Sequence, residues 1–69
     1  MRLSARNQLT GTVGGIELGA VMTVVKVVLD GGQQIMASIT RDAADDLGLT
    51  IGVRVTAIIK STEVMLGVD

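Results

Sequence analysis

Few residues in this chain can do chemistry, and they cluster. Ser4-Ala5-Arg6-Asn7-Gln8 sets a hydroxyl, a guanidinium and two amides in a row, and Lys60-Ser61-Thr62 sets an ammonium beside two hydroxyls some fifty positions later. Thr40 stands between them, at the start of a helix-like stretch. These side chains are hydrogen-bond donors, and the cations among them bring no competing acceptor. Such a set is suited to holding an anion. Backbone N–H groups near Asp42 and Ala43, at the start of that stretch, would add to it. The same residues also suit capped, solvated strand ends, and residue types alone leave both readings open.

Other chemistries find less support. There is no His, Cys or Tyr to act as base or nucleophile near neutral pH, so the chain is not expected to be an enzyme. Asp42, Asp45 and Asp46 lie on one short helical stretch and read as a solvated face, since a hard cation wants six or more converging oxygens. Gly14-Gly15 and Gly31-Gly32 match no phosphate-loop pattern and read as bulges or turns. The four Met residues are scattered, as core filling would be. Nucleic acid is not an expected partner: Phe, Tyr and Trp are absent, and six Lys or Arg against seven Asp or Glu give a net charge of −1.

The elements that must position these groups are mostly strands. Gln8 to Val13 alternates polar and apolar residues, the period of a half-buried strand, and Gly14-Gly15 marks a bulge or sharp bend before Ile16-Glu17-Leu18 and a turn at Gly19. Val21 to Leu29 is dense in β-branched residues and predicts a second strand. Asp30-Gly31-Gly32 then signals a hairpin into a third strand over Gln34 to Ile39. Thr40 is placed to cap a helix of about two turns that Gly48 ends. Val53 to Ile59 alternates as a fourth strand, and Thr62 to Gly67 predicts a short fifth. Five strands with one short helix between the third and fourth is the element order of an all-β, OB-like barrel.

A chain of 69 residues makes a single domain spanning 1–69, with a marginal core. Small folds usually gain support from disulfides, a structural metal or oligomerisation, and with neither Cys nor His oligomerisation is the expected route. A hydrophobic content of 48% and a mean hydropathy of +0.56 agree with apolar surface meeting another subunit. No apolar run approaches the roughly 20 residues of a membrane span, so no membrane is expected. The polar residues after Met1-Arg2 do not form a signal-peptide core, which predicts a cytoplasmic location.

Read jointly, Ser4-Ala5-Arg6-Asn7-Gln8-Leu9-Thr10-Gly11, Gly19-Ala20-Val21-Met22, Ile39-Thr40, Leu47-Gly48-Leu49, Gly52 and Val55 through Met65 resemble the molbindins. These are free-standing Mop domains of TOBE type, and the resemblance covers nearly the whole chain. It implies a five-stranded OB-like barrel, assembled as a homo-hexamer (a trimer of dimers), that stores and buffers molybdate or tungstate in the cytoplasm. It also implies an oxyanion pocket between subunits, with Ser4 and Arg6 from one and Thr40, the Ala43 N–H, Lys60 and the Ser61 N–H from its neighbour. Ala43 stands where some relatives carry Ser, so only its N–H can serve. A second oxyanion site near the threefold axis is placed at Gly19, Ala20, Val21 and Met22. The alternative function is a molybdate-sensing interaction module that signals to a protein partner, as related domains of regulators do.

Overall fold

A computed structural model describes every residue from Met1 to Asp69. Four strands form one antiparallel sheet: β1 (Asn7–Leu18), β2 (Met22–Leu29), β3 (Gln34–Thr40) and β4 (Arg54–Ile59), in the order β3-β2-β1-β4. A six-residue helix, α1 (Arg41–Asp46), joins β3 to β4, and a single 3-10 turn covers Ser61–Glu63. The domain is all-β, a curled half-barrel with one short helix.

β1 organises the sheet because its two halves have different neighbours. Its first half pairs with β4, from Asn7 opposite Ile59 to Thr12 opposite Arg54, and from Gly11 onward it also pairs with β2. Between Val13 and Gly15 the β1–β2 register shifts by one residue, so Gly14 is a bulge, one of the two outcomes its Gly pair allowed. The extra residue changes which alternate positions face inward. Val13 points in before it, and Ile16, opposite Val25, packs on the core after it. Gly11 has a different role: a side chain there would meet the Val28 carbonyl at 2.5 Å, so β1 can cross β2 this closely only without one.

The remaining local signals hold. Leu29 N–H donates to the Gln33 carbonyl and Gly32 N–H to that of Leu29, closing the Asp30-Gly31-Gly32 hairpin, with Gly32 at φ +95°. Thr40 caps α1, its hydroxyl oxygen accepting from Ala43 N–H at 3.1 Å, and Gly48 at φ +64° ends the turn after it.

The core is small. Val13, Val25 and Val27 form its centre, with Ile16, Leu29, Ile35, Ile39 and Val55 packed around them, and only six residues of the chain are buried. One of them, Thr23, is 0% exposed with no partner for its hydroxyl. No helix is long and apolar enough to cross a membrane.

The expected fifth strand over Thr62 to Gly67 is not formed, and this corrects the five-stranded barrel. Ser61–Glu63 turns instead, and Val64 onward runs without regular structure. A strand exists by virtue of its ladder, and this segment has no strand beside it. Met65, Leu66 and Val68 are 91–99% exposed. Both β3 and β4 consequently remain edges, and an apolar cleft of about 140 Å³ opens onto Val25, Val27, Ala37, Ile39, Leu49 and Val55.

Candidate functional site

The start of β1 and the end of β4 leave the sheet side by side, because Asn7 lies opposite Ile59. The residues just outside that pair are therefore forced together. Ser4, Ala5 and Arg6 precede it on one side, Lys60 and Ser61 follow it on the other, and all five line one open hollow of about 510 Å³ with Ile58. The two polar clusters thus meet within a single chain, although they are more than fifty residues apart in sequence, whereas the resemblance implied Ser4 and Arg6 from one subunit and Lys60 and Ser61 from its neighbour.

No carboxylate lines this hollow. The two ion pairs of the chain are Arg41 with Asp45 and Arg54 with Asp30, so neither Arg6 nor Lys60 is paired. The 3-10 turn adds donors. Its first internal bond is Glu63 N–H to the Lys60 carbonyl at 2.9 Å, which leaves the preceding N–H groups of Ser61 and Thr62 ahead of any turn acceptor. Nearby carbonyls are already engaged: Ala5 accepts from Gln8 Nε2 at 2.9 Å and Ser61 accepts from Val64 N–H at 3.4 Å. The hollow thus gathers two unpaired cations, two seryl hydroxyls and free main-chain N–H groups, a set that can neutralise and solvate an anion.

Thr40 and Ala43 lie elsewhere. Thr40 pairs with Met22 at the far end of β1, about 40 Å from Arg6 along the path of the curled strand at about 3.3 Å per residue. Within the chain the Ala43 N–H is taken by the Thr40 hydroxyl oxygen, which leaves only the Thr40 hydroxyl proton free to donate. Their neighbours are the residues of the other expected oxyanion site. Arg41 N–H donates to the Val21 carbonyl at 2.7 Å, Gly19 N–H to that of Met22 at 2.9 Å, and the Arg41 guanidinium to the Gly19 carbonyl at 3.3 Å. Gly19, Ala20, Val21 and Met22 thus make the β1–β2 turn, tied down by Arg41.

Two hollow residues, Ala5 and Ile58, are absent from the sequence-based set. Ile58 was legible: it stands two positions before Lys60, on the same face of an alternating strand. A second polar cluster was not foreseen. Arg54 holds Asp30 through two bonds, Nη1 to Oδ1 at 2.6 Å and Nη2 to Oδ2 at 2.9 Å, while Thr10 donates to Asp30 at 2.8 Å and Thr12 accepts from Arg54 at 3.2 Å. Hydrogen bonds from Arg54 and then Thr10 hold the Asp30 carboxyl down to about 2, and the same contact raises Arg54.

Comparison with known proteins bears on this geometry. The chain matches the TOBE domain over residues 3–66. It is 42% identical to a probable molybdenum-pterin-binding protein of Haemophilus influenzae over the full length of both. It is 48% identical to the molybdenum transport protein ModE of Herbaspirillum seropedicae, covering 97% of this chain but only 25% of that larger protein. Among solved structures, the cytoplasmic molybdate-binding protein ModG with molybdate bound superposes with a TM-score of 0.95 at 49% identity, over all of this chain and 49% of that one.

Proposed function

The chain belongs to the TOBE-domain family, among relatives named molybdenum-pterin-binding proteins, and from that premise we propose that it binds and stores molybdate or tungstate as a cytoplasmic homo-hexamer. The observation that carries the reading is the hollow where Arg6, Lys60, Ser4 and Ser61 meet with no carboxylate among them. A tetrahedral dianion there has its two charges matched by the two cations and its oxygens met by hydroxyl and N–H donors. The protein holds the anion unchanged, and no group at the hollow is suited to transform it. A cytoplasmic location rests on the description of ModG.

Assembly follows from what one chain leaves incomplete. The hollow is open, only six residues of the chain are buried, and Leu66, Met65 and Val68 face solvent. Thr40 sits at the far end of β1, so it can join such a hollow only from a neighbouring copy, with the Ala43 backbone beside it. In a trimer of dimers each copy closes another's hollow, and the anion then strengthens the assembly because it binds the joined state alone. The Gly19–Met22 turns, gathered about the threefold axis, form the second oxyanion site, with Arg41 as the nearby cation.

Titration calorimetry with molybdate, tungstate and sulfate tests the function. Strong heat with the first two and a weaker response to sulfate is expected, and silence with molybdate would sink the reading. Native mass spectrometry of the same samples is expected to show six chains with bound anions. A sensing role is the second reading, because the same sequence pattern forms a quarter of a larger molybdenum transport protein. Capture of a protein partner that depends on molybdate would favour it over storage alone.

A further inference from the structure

The hollow places a primary amine inside an anion site. We propose that Lys60 is a site of acylation by small acyl phosphates, which dock their phosphoryl group in the hollow and pass their acyl group to Nζ, and that this modification switches anion binding off. The inference rests on the oxyanion reading of the same hollow and adds to it a means of regulation.

Lys60 directly follows β4 and lines the hollow with Arg6, Ser4 and Ser61, where no carboxylate stands. It is exposed, and neither it nor Arg6 is in an ion pair. An acyl phosphate carries at one end a tetrahedral, doubly charged phosphoryl group and, joined to it through one oxygen, a carbonyl carbon. Arg6 and the serine hydroxyls meet the phosphoryl oxygens as they meet any tetrahedral anion. Because the second cation of the hollow is Lys60 itself, docking the phosphoryl group brings the carbonyl carbon beside Nζ. A chance encounter between two molecules becomes a reaction within one complex.

Nζ attacks as the free amine. An N–C bond forms, the C–O bond to the phosphoryl group breaks, inorganic phosphate leaves with the bonding electron pair, and the amine proton passes to water. The product is an amide without the ammonium charge. Arg6 is then the one cation left on the lining, and half the charge of a dianion is unmatched. Molybdate and the phosphoryl group compete for one place, so a loaded site is protected. Lys26, the other lysine of the chain, is a built-in reference. It lines a separate hollow of about 250 Å³ with Glu17, Val24 and Met36, where a carboxylate stands and no arginine does. Its acylation follows ordinary collision.

The dialysed protein is treated with acetyl phosphate, or with acetic anhydride, which has no phosphoryl group, and acetylation of each lysine is followed by peptide mass spectrometry. The ratio of Lys60 to Lys26 labelling is expected to be about tenfold or more higher with acetyl phosphate than with the anhydride. Excess molybdate, and separately Arg6→Ala, should each bring the acetyl phosphate ratio down to the anhydride value. Protein acetylated at Lys60 should bind molybdate as weakly in calorimetry as Lys60→Ala does. Equal ratios for the two reagents, Lys60 labelling that molybdate leaves unchanged, or full molybdate binding after acetylation overturns the proposal, while calorimetry on the unmodified protein keeps the oxyanion reading standing. Absence of molybdate binding in that calorimetry overturns the oxyanion reading and this inference with it.

Discussion

Arg54 and Arg6 are both exposed guanidiniums beside β1, and their surroundings differ in one respect. Arg54 is met by a carboxylate that takes both arms of its fork, with Thr10 and Thr12 completing the cluster. Arg6 is met by a lysine, two serines and open space. Arg54 ties the β2–β3 hairpin to β4 across β1 and has nothing left to offer a ligand. Two cations converging without an acid repel one another, an arrangement that costs stability unless an anion fills it. The lesson is that the unpaired cations, and not the most strongly bonded ones, mark where a ligand belongs.

The largest expected effect separates the two clusters outright. Arg6→Ala and Lys60→Ala should each weaken molybdate binding by at least a hundredfold while the circular dichroism spectrum and thermal midpoint stay near those of the unmodified protein. Arg54→Ala should leave binding within about twofold, scaled against the 1.4 kcal/mol that a tenfold change represents. Loss of binding in Arg54→Ala with retention in Arg6→Ala would reverse the comparison.

Next comes the strand that both clusters share. A Cβ at position 11 meets the Val28 carbonyl and Val27 side chain at 2.5 and 2.9 Å, so Gly11→Ala should destabilise the domain by about 1–3 kcal/mol, measured by urea unfolding. Because Gly11 lies between Thr10 and Thr12, that variant should loosen the Arg54 cluster as well as the sheet. A smaller change of opposite sign is expected at Thr23, whose buried hydroxyl has no partner. Thr23→Val removes the unpaired group at similar volume and should stabilise by about 1 kcal/mol in the same assay.

The smallest effect concerns the Arg54–Asp30 pair, which is solvent-exposed and contributes little at neutral pH. Its dependence on acid is nevertheless specific. The Asp30 carboxyl is held at about 2 in the fold against an ordinary value of 3.8, so its contribution is complete above 3.8 and is lost as pH falls through about 2. The gap in thermal midpoint between the unmodified protein and Arg54→Ala should therefore be constant from neutral pH to about 4 and close below it. A gap that persists unchanged at pH 2 would show that the contact acts by packing and not by charge.

Local signals were legible because their causes are local. Asp30-Gly31-Gly32 makes a hairpin through backbone angles that glycine adopts freely, Thr40 caps α1 through a bond three residues away, and Gly14 shifts the alternation within one strand. The Arg54–Asp30 cluster was not legible, since its members are 24 residues apart and become neighbours only across β1. The fifth strand failed for a related reason. Val64-Met65-Leu66 carries strand propensity, but a ladder needs a neighbour that one chain does not place there.

The sequence by itself determined the all-β class, the strand and helix sequence up to β4, and the chemical character of the candidate ligand groups. Each of these follows from residue type and short spacing. Tertiary structure alone decided their grouping. Pairing of Asn7 with Ile59 brings Ser4 and Arg6 to Lys60 and Ser61 in one chain, and pairing of Met22 with Thr40 carries Thr40 and Ala43 to the opposite end beside Gly19–Met22. Antiparallel register, set by the inward faces of four strands at once, is a property of the whole sheet, and no stretch of the chain contains it.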